Sequence, residues 1–137
     1  MPALSPTPHP AFLAELIEHL DDANVEDANG DPVVAVFDED RNFFVQFAPG
    51  DSDGEVLCEL VGPRYLAPRD QFTGAHLDLL MASGWLLAEP EGDALVNHVK
   101  LWDTAFISLE EIVAEAAALA CHIFNSEGAG VVIETKR

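Results

Sequence analysis

An α+β fold, an antiparallel sheet with helices packed on one face in the order α-β-β-β-α-β-β-α, follows from three features of the sequence. Three strand-like runs succeed one another across turns too short to hold a crossover helix, so neighbouring runs must pair antiparallel. Helical periodicity occurs in three separate places, before, between and after the strand-like runs, and elements that mix without strict alternation give α+β rather than α/β. Finally, 137 residues of which 49% are hydrophobic can fill the core of one ordinary domain. Residues 1–9 read as a loose proline-rich leader and 10–137 as the single domain.

The first helix rests on Leu13, Leu16, Ile17 and Leu20, spaced i, i+3, i+4 and i+7 as one apolar stripe. Pro8 and Pro10 suit its first turn, where an N–H would be unpaired anyway. The stripe stops at Asp21-Asp22, and Asn24 to Pro32 is polar and turn-rich. The runs Val33 to Phe37, Phe43 to Ala48 and Glu55 to Val61 then form a meander, joined by Asp38 to Asn42 and by Pro49 to Gly54 and closed by Gly62-Pro63. Thr73 is a suitable N-cap for the second helix, with Phe72 and Leu77 placed as a hydrophobic staple. Leu77, Leu80 and Met81 are its expected buried stripe, and Gly84 its left-handed stop. Trp85 to Ala88 reads as a short strand, Glu89 to Asp93 as a turn and Val96 to Trp102 as another strand. Ser108-Leu109-Glu110-Glu111 is a capping box opening the last helix, whose apolar face runs from Leu109 through Ile112, Val113, Ala116, Leu119 and Ala120 to Ile123. Val131 to Ile133 is either a final strand or disordered tail.

Charge narrows the function classes. Twenty-five acidic residues face 6 basic ones, a formal net charge of −19. Such a field repels phosphate backbones and anionic lipid heads, so neither nucleic acid nor a membrane surface is an expected partner, whereas basic polypeptides are attracted. The same acidity also serves simply to keep an apolar protein in solution. The first ten residues hold four prolines and no Lys or Arg, unlike a secretory leader. With no apolar run of membrane-spanning length, a cytoplasmic protein is expected. Cys58 and Cys121 cannot make a disulfide framework and read as small core residues.

No local constellation announces chemistry. The histidines, His9, His19, His76, His98 and His122, form no metalloprotease-like pair, and His76 and Asp78 fall on different helix faces. Gly128-Ala129-Gly130 follows a helix, whereas a phosphate loop follows a strand and opens one. In Asp51-Ser52-Asp53-Gly54 the glycine stands fourth rather than sixth, and Asp27 to Asp31 is followed by Pro32, so both acidic stretches read as solvated turns rather than calcium loops. No catalytic residue, metal ligand or cofactor is expected, and the chain reads as a binding protein rather than an enzyme.

Strand alternation locates a candidate surface. Phe43, Val45 and Phe47 share one face, as do Val56, Cys58 and Leu60. On polarity, the face lacking Gln46, Glu59 and Lys100 should meet the helices, which puts Val99 and Leu101 inside and His98, Lys100 and Trp102 outside. The outer face would then carry Phe44, Leu57, Val61 and Trp102 among the polar residues, an apolar patch suited to a partner or to a second copy of the chain.

The run Phe43-Phe44-Val45-Gln46-Phe47, the segment Cys58 to Leu66, the helix opened by Phe72-Thr73 and ended by Gly84-Trp85, and Asn97 after the turn together resemble the type III secretion chaperones and YbjN-like proteins, a group of peptide-binding chaperone-like domains, and its actinobacterial members in particular. The resemblance covers roughly Pro10 to Asn125; the tail from Gly128 departs from it. It implies a homodimer-forming α+β fold that holds an extended or partly unfolded polypeptide client on its surface, and it brings no catalytic residues. The alternative is an inhibitor or immunity-type protein whose negative surface binds a folded basic partner, distinguished by steeper salt dependence.

Overall fold

The computed structural model describes residues 8–89 and 96–125, and the backbone of 130–133. The expected leader up to residue 7, most of the turn from Glu89 to Asp93 and the turn around Gly128 lie outside the described residues. Helix α1 (Pro10–Asp22) precedes a meander of β1 (Val33–Asp38), β2 (Phe43–Pro49) and β3 (Glu55–Leu60). Two short 3-10 turns, Pro63–Tyr65 and Pro68–Asp70, lead to α2 (Gly74–Ala82), then β4 (His98–Asp103), α3 (Leu109–Phe124) and β5 (Gly130–Ile133). The sheet has five strands in the order β4-β3-β2-β1-β5, each described neighbour pair antiparallel. The α+β class and the order of its principal elements match the expectation, and residues 131–133 form an edge strand on β1.

The expected short strand at Trp85 to Ala88 reduces to one bridge, Leu86 to Val99. The strand expected from Val96 begins at His98 instead. The reason is local: Asn97 turns its side chain onto the chain at Gly62, whose N–H donates to Asn97 Oδ1 at 2.9 Å. A Cβ at Gly62 would stand 1.8 Å from the carbonyl oxygen of Val96, so only glycine permits this crossing.

Caps set the helix limits. Thr73 Oγ1 accepts from the N–H of His76, and the imidazole of His76 accepts from the N–H of Thr73, so a histidine completes the reciprocal cap. Gly84 has φ +88°, the left-handed stop its position predicts. Ser108 Oγ accepts from the N–H of Glu111 at 3.2 Å, and α3 ends on left-handed Asn125. In α1, Phe12 joins Leu16 and Leu20 inside while Leu13 and Ile17 are half-buried, so the stripe sits one position round from its expected centre. Met81, expected inside, is exposed, and Leu80 is the fully buried residue of α2.

All three helices bury side chains in one core, against the face bearing Val33, Ala35, Val45, Phe47, Val56 and Leu60. Its centre is aromatic. The ring of Phe124 stacks on Phe43 at 4.5 Å between centroids and lies within 6 Å of both Phe37 and Phe72. Such contacts add about 0.5–1.5 kcal/mol each beyond the area they bury. Cys58 and Cys121 are fully buried members of this core, and burial pushes the Cys58 thiol far up.

Candidate functional site

The inner and outer faces of β4 are fixed by its register on β3. Val56 faces Trp102, Cys58 faces Lys100 and Leu60 faces His98. Residues directly opposite share a face, so Trp102, Lys100 and His98 lie on the helix side with the core of β3. Val99 and Leu101 lie outside, opposite Glu59 and Leu57. The assignment made on polarity is therefore inverted for this strand. Trp102 is only 8% exposed and Val61 fully buried, so neither is available on a surface. Phe44 and Leu57 are on the outer face, both half-buried.

The inner polar residues are each accommodated by a specific contact. Lys100 sends its Nζ 2.6 Å to the carbonyl of Ser83, and over the ring of Trp102 at 3.9 Å from its centroid. A cation at the C-terminal end of α2 meets the negative end of the helix dipole, and the indole face adds cation–π attraction. His98 is 2% exposed; its Nδ1 accepts from the N–H of Ala88 at 2.8 Å and its ring stacks on Phe72. Burial lowers its pKa to about 4, so the ring is held neutral, with the proton on the other nitrogen. His76 is also lowered, by burial first and by the neighbouring His122 second.

The outer face has no helix on it among the described residues. Cross-strand neighbours set out its rows: Leu101, Leu57 and Ala48 in one, then Val99, Glu59, Gln46 and Val34, then Phe44 and Val36. A recess of about 250 Å³ lies between Val34, Val36, Phe44 and Gln46, with Asp38 and Glu39 at its rim. Leu101 is 54% exposed beside the outer edge of the sheet. That edge is only partly paired among the described residues. Leu86 exchanges both backbone hydrogen bonds with Val99, at 2.8 and 3.0 Å. In an antiparallel ladder these groups alternate in direction, so the N–H and C=O of Leu101 also point away from β3. They have no partner among the described residues.

Elsewhere, a second recess of about 350 Å³ lies on the helix side, lined by Phe72, Leu77, Leu87 and His98 with Pro63 and Leu66. The acidic turns are internally bonded: Asp53 Oδ1 accepts from the N–H of Ala28, Asp27 Oδ1 from that of Asn29 and Glu55 Oε1 from that of Ser52. Among the described residues, no group of three or more His, Cys, Asp or Glu side chains is placed to hold a metal, and no helix is long and apolar enough to cross a membrane.

A largely apolar sheet face beside backbone groups left unpaired among the described residues is a surface that a polypeptide can extend. Residues 10–127 match the family model TY-Chap3, described as type III secretion system (YopN, CesT) and YbjN peptide-binding chaperone 3. The chain belongs to this family of peptide-binding chaperone domains. No curated protein and no solved structure matches it significantly.

Proposed function

From membership of a peptide-binding chaperone family, we propose that the chain is a non-enzymatic chaperone-like module that holds an extended or partly unfolded segment of a client polypeptide across the outer face of its sheet. The observation that carries this is the row of Leu101, Leu57 and Ala48, with Phe44 and Val34 beyond it, on which no helix lies among the described residues. Apolar surface left open on one side of a sheet favours association. The unpaired N–H and C=O of Leu101 give an added strand a backbone partner while the face takes its alternate side chains. Of the four residues picked out in the sequence, Phe44 and Leu57 belong to the proposed contact surface, whereas buried Val61 and Trp102 support it from within.

The test is the affinity of a chemically unfolded, cysteine-blocked polypeptide for the wild-type chain and for Leu57→Asp and Leu101→Asp. Both positions are on the outer face, so the native circular dichroism should persist while binding weakens at least tenfold. Retained binding by both folded variants would refute the face assignment.

The same membership supports a homodimer. Sedimentation measures it directly: a dimer that survives both substitutions uses another surface, and one that they disrupt shares the client face.

A further inference from the structure

Glu59 stands in the middle of the outer face. Its cross-strand neighbours are Val99 on β4 and Gln46 on β2, with Leu57 two residues along its own strand. The side chain is half-buried, and no ion pair or hydrogen bond to its carboxylate exists among the described residues. The strand-face rows thus hold one carboxylate without an ion pair among the described residues, flanked by the Gln46 amide on one side and by Val99 and Leu57 on the others.

Covering this face takes water from that carboxylate. An isolated buried charge costs several kcal/mol unless its occupant brings a counter-charge. A second copy of the chain cannot readily supply one. It carries the same net −19 and only six basic residues. Of the four that are described, Arg41 and Arg69 lie beside Asp38 and Asp70, Lys100 is committed to Ser83 and Trp102 on the inner side, and Arg64 stands in the turn Pro63–Tyr65, off the strands of the outer face. Two copies meeting on this face would bring a second Glu59 into the same interface and no cation from the described residues.

We infer that the client segment is basic and amphipathic, apolar residues alternating with lysine or arginine, and that Glu59 is the counter-charge that selects it. This rests on the sheet-face reading above. The distances fit. A strand added beside β4 lies about 10 Å from β3, two strand spacings. Beside Val99 the edge is taken by Leu86, so the added strand runs along Leu101, and a lysine on its outer side lays its apolar stem over Leu101 and reaches diagonally toward the Glu59 side chain. The apolar residues occupy the rows around it. The long-range field of the acidic chain speeds the encounter with such a segment, and Glu59 fixes where its charge rests.

The experiment measures binding of three labelled synthetic peptides by fluorescence anisotropy: valine alternating with lysine, with serine, and with glutamate. The proteins are wild type, Glu59→Gln, Glu59→Lys and Glu18→Gln. Glu18 is exposed on α1, so its variant removes the same formal charge without touching the sheet. The valine–lysine peptide should bind wild type best and lose about tenfold on Glu59→Gln, with less than a twofold loss on Glu18→Gln. Glu59→Lys should shift preference toward the valine–glutamate peptide. Equal losses from Glu59→Gln and Glu18→Gln would overturn the role of Glu59, leaving only the field of the whole chain. Equal binding of the valine–serine and valine–lysine peptides would overturn the basic-client inference while the sheet-face reading stands. If no peptide binds, both fall.

Discussion

Trp102 carries its indole under the helices, packed by Lys100, and its Nε1 meets no oxygen or nitrogen acceptor among the described residues, only the weakly accepting sulfur of Cys58. Trp102→Glu would place a carboxylate in the core and is expected to cost several kcal/mol and unfold the chain, so loss of binding in that variant would say nothing about an interface. Trp102→Phe removes a buried donor whose neighbouring acceptor is at best the weak Cys58 sulfur, and is expected to cost no more than about 1–2 kcal/mol. Urea denaturation separates the two outcomes. His98 makes stability depend on pH. Its native pKa of about 4 lies below the ordinary 6.5, so between these values the unfolded chain takes up a proton that the native chain refuses. The contribution is complete above pH 6.5 and is lost as pH falls toward 4, a total of about 3 kcal/mol. His98→Phe keeps a ring beside Phe72 but strands the N–H of Ala88, at about 1–3 kcal/mol. Its stability should fall less steeply than that of wild type between pH 6.5 and 4, as read from urea midpoints; parallel slopes would contradict the neutral-histidine account.

At the scale of elements, helix ends were legible because their causes are local. Thr73, Gly84 and Ser108 act where a cap or a left-handed residue must stand. Ser108→Ala should cost about 1 kcal/mol in thermal or urea unfolding. Gly62→Ala should cost more than this, since the added Cβ meets the backbone of Val96. Strand positions in β1 to β3 were legible for the same reason, with their alternation matching their burial. The faces of β4 were not. His98-Val99-Lys100-Leu101-Trp102 alternates equally well either way up, and polarity favours the wrong answer. The choice is made by pairing with β3, by a helix end that accepts the ammonium of Lys100, and by the Ala88 N–H that His98 accepts. All of these partners are distant in sequence from the strand or set by the fold. The candidate site was accordingly half legible: Phe44 and Leu57 fell on the outer face as expected, while Val99 and Leu101 emerged only once the register was known.

For the whole molecule, the account joins an acidic field to an apolar face. Net −19 draws basic chains from a distance, and screening should slow that encounter as salt rises. The apolar rows and Glu59 hold what arrives, so binding should weaken with salt yet persist after the steering is screened. A folded basic partner held by the acidic surface alone would instead be released by salt. The central claim is that the client lies on the outer sheet face. It is tested most directly by mapping backbone amide chemical shifts of the full chain during titration with the valine–lysine peptide. The largest changes are expected at Leu57, Glu59, Val99 and Leu101, around the partly paired edge of β4, with α1 and the outward surface of α3 unmoved. Changes centred on those helices, with the outer face of β2, β3 and β4 silent, would contradict the account.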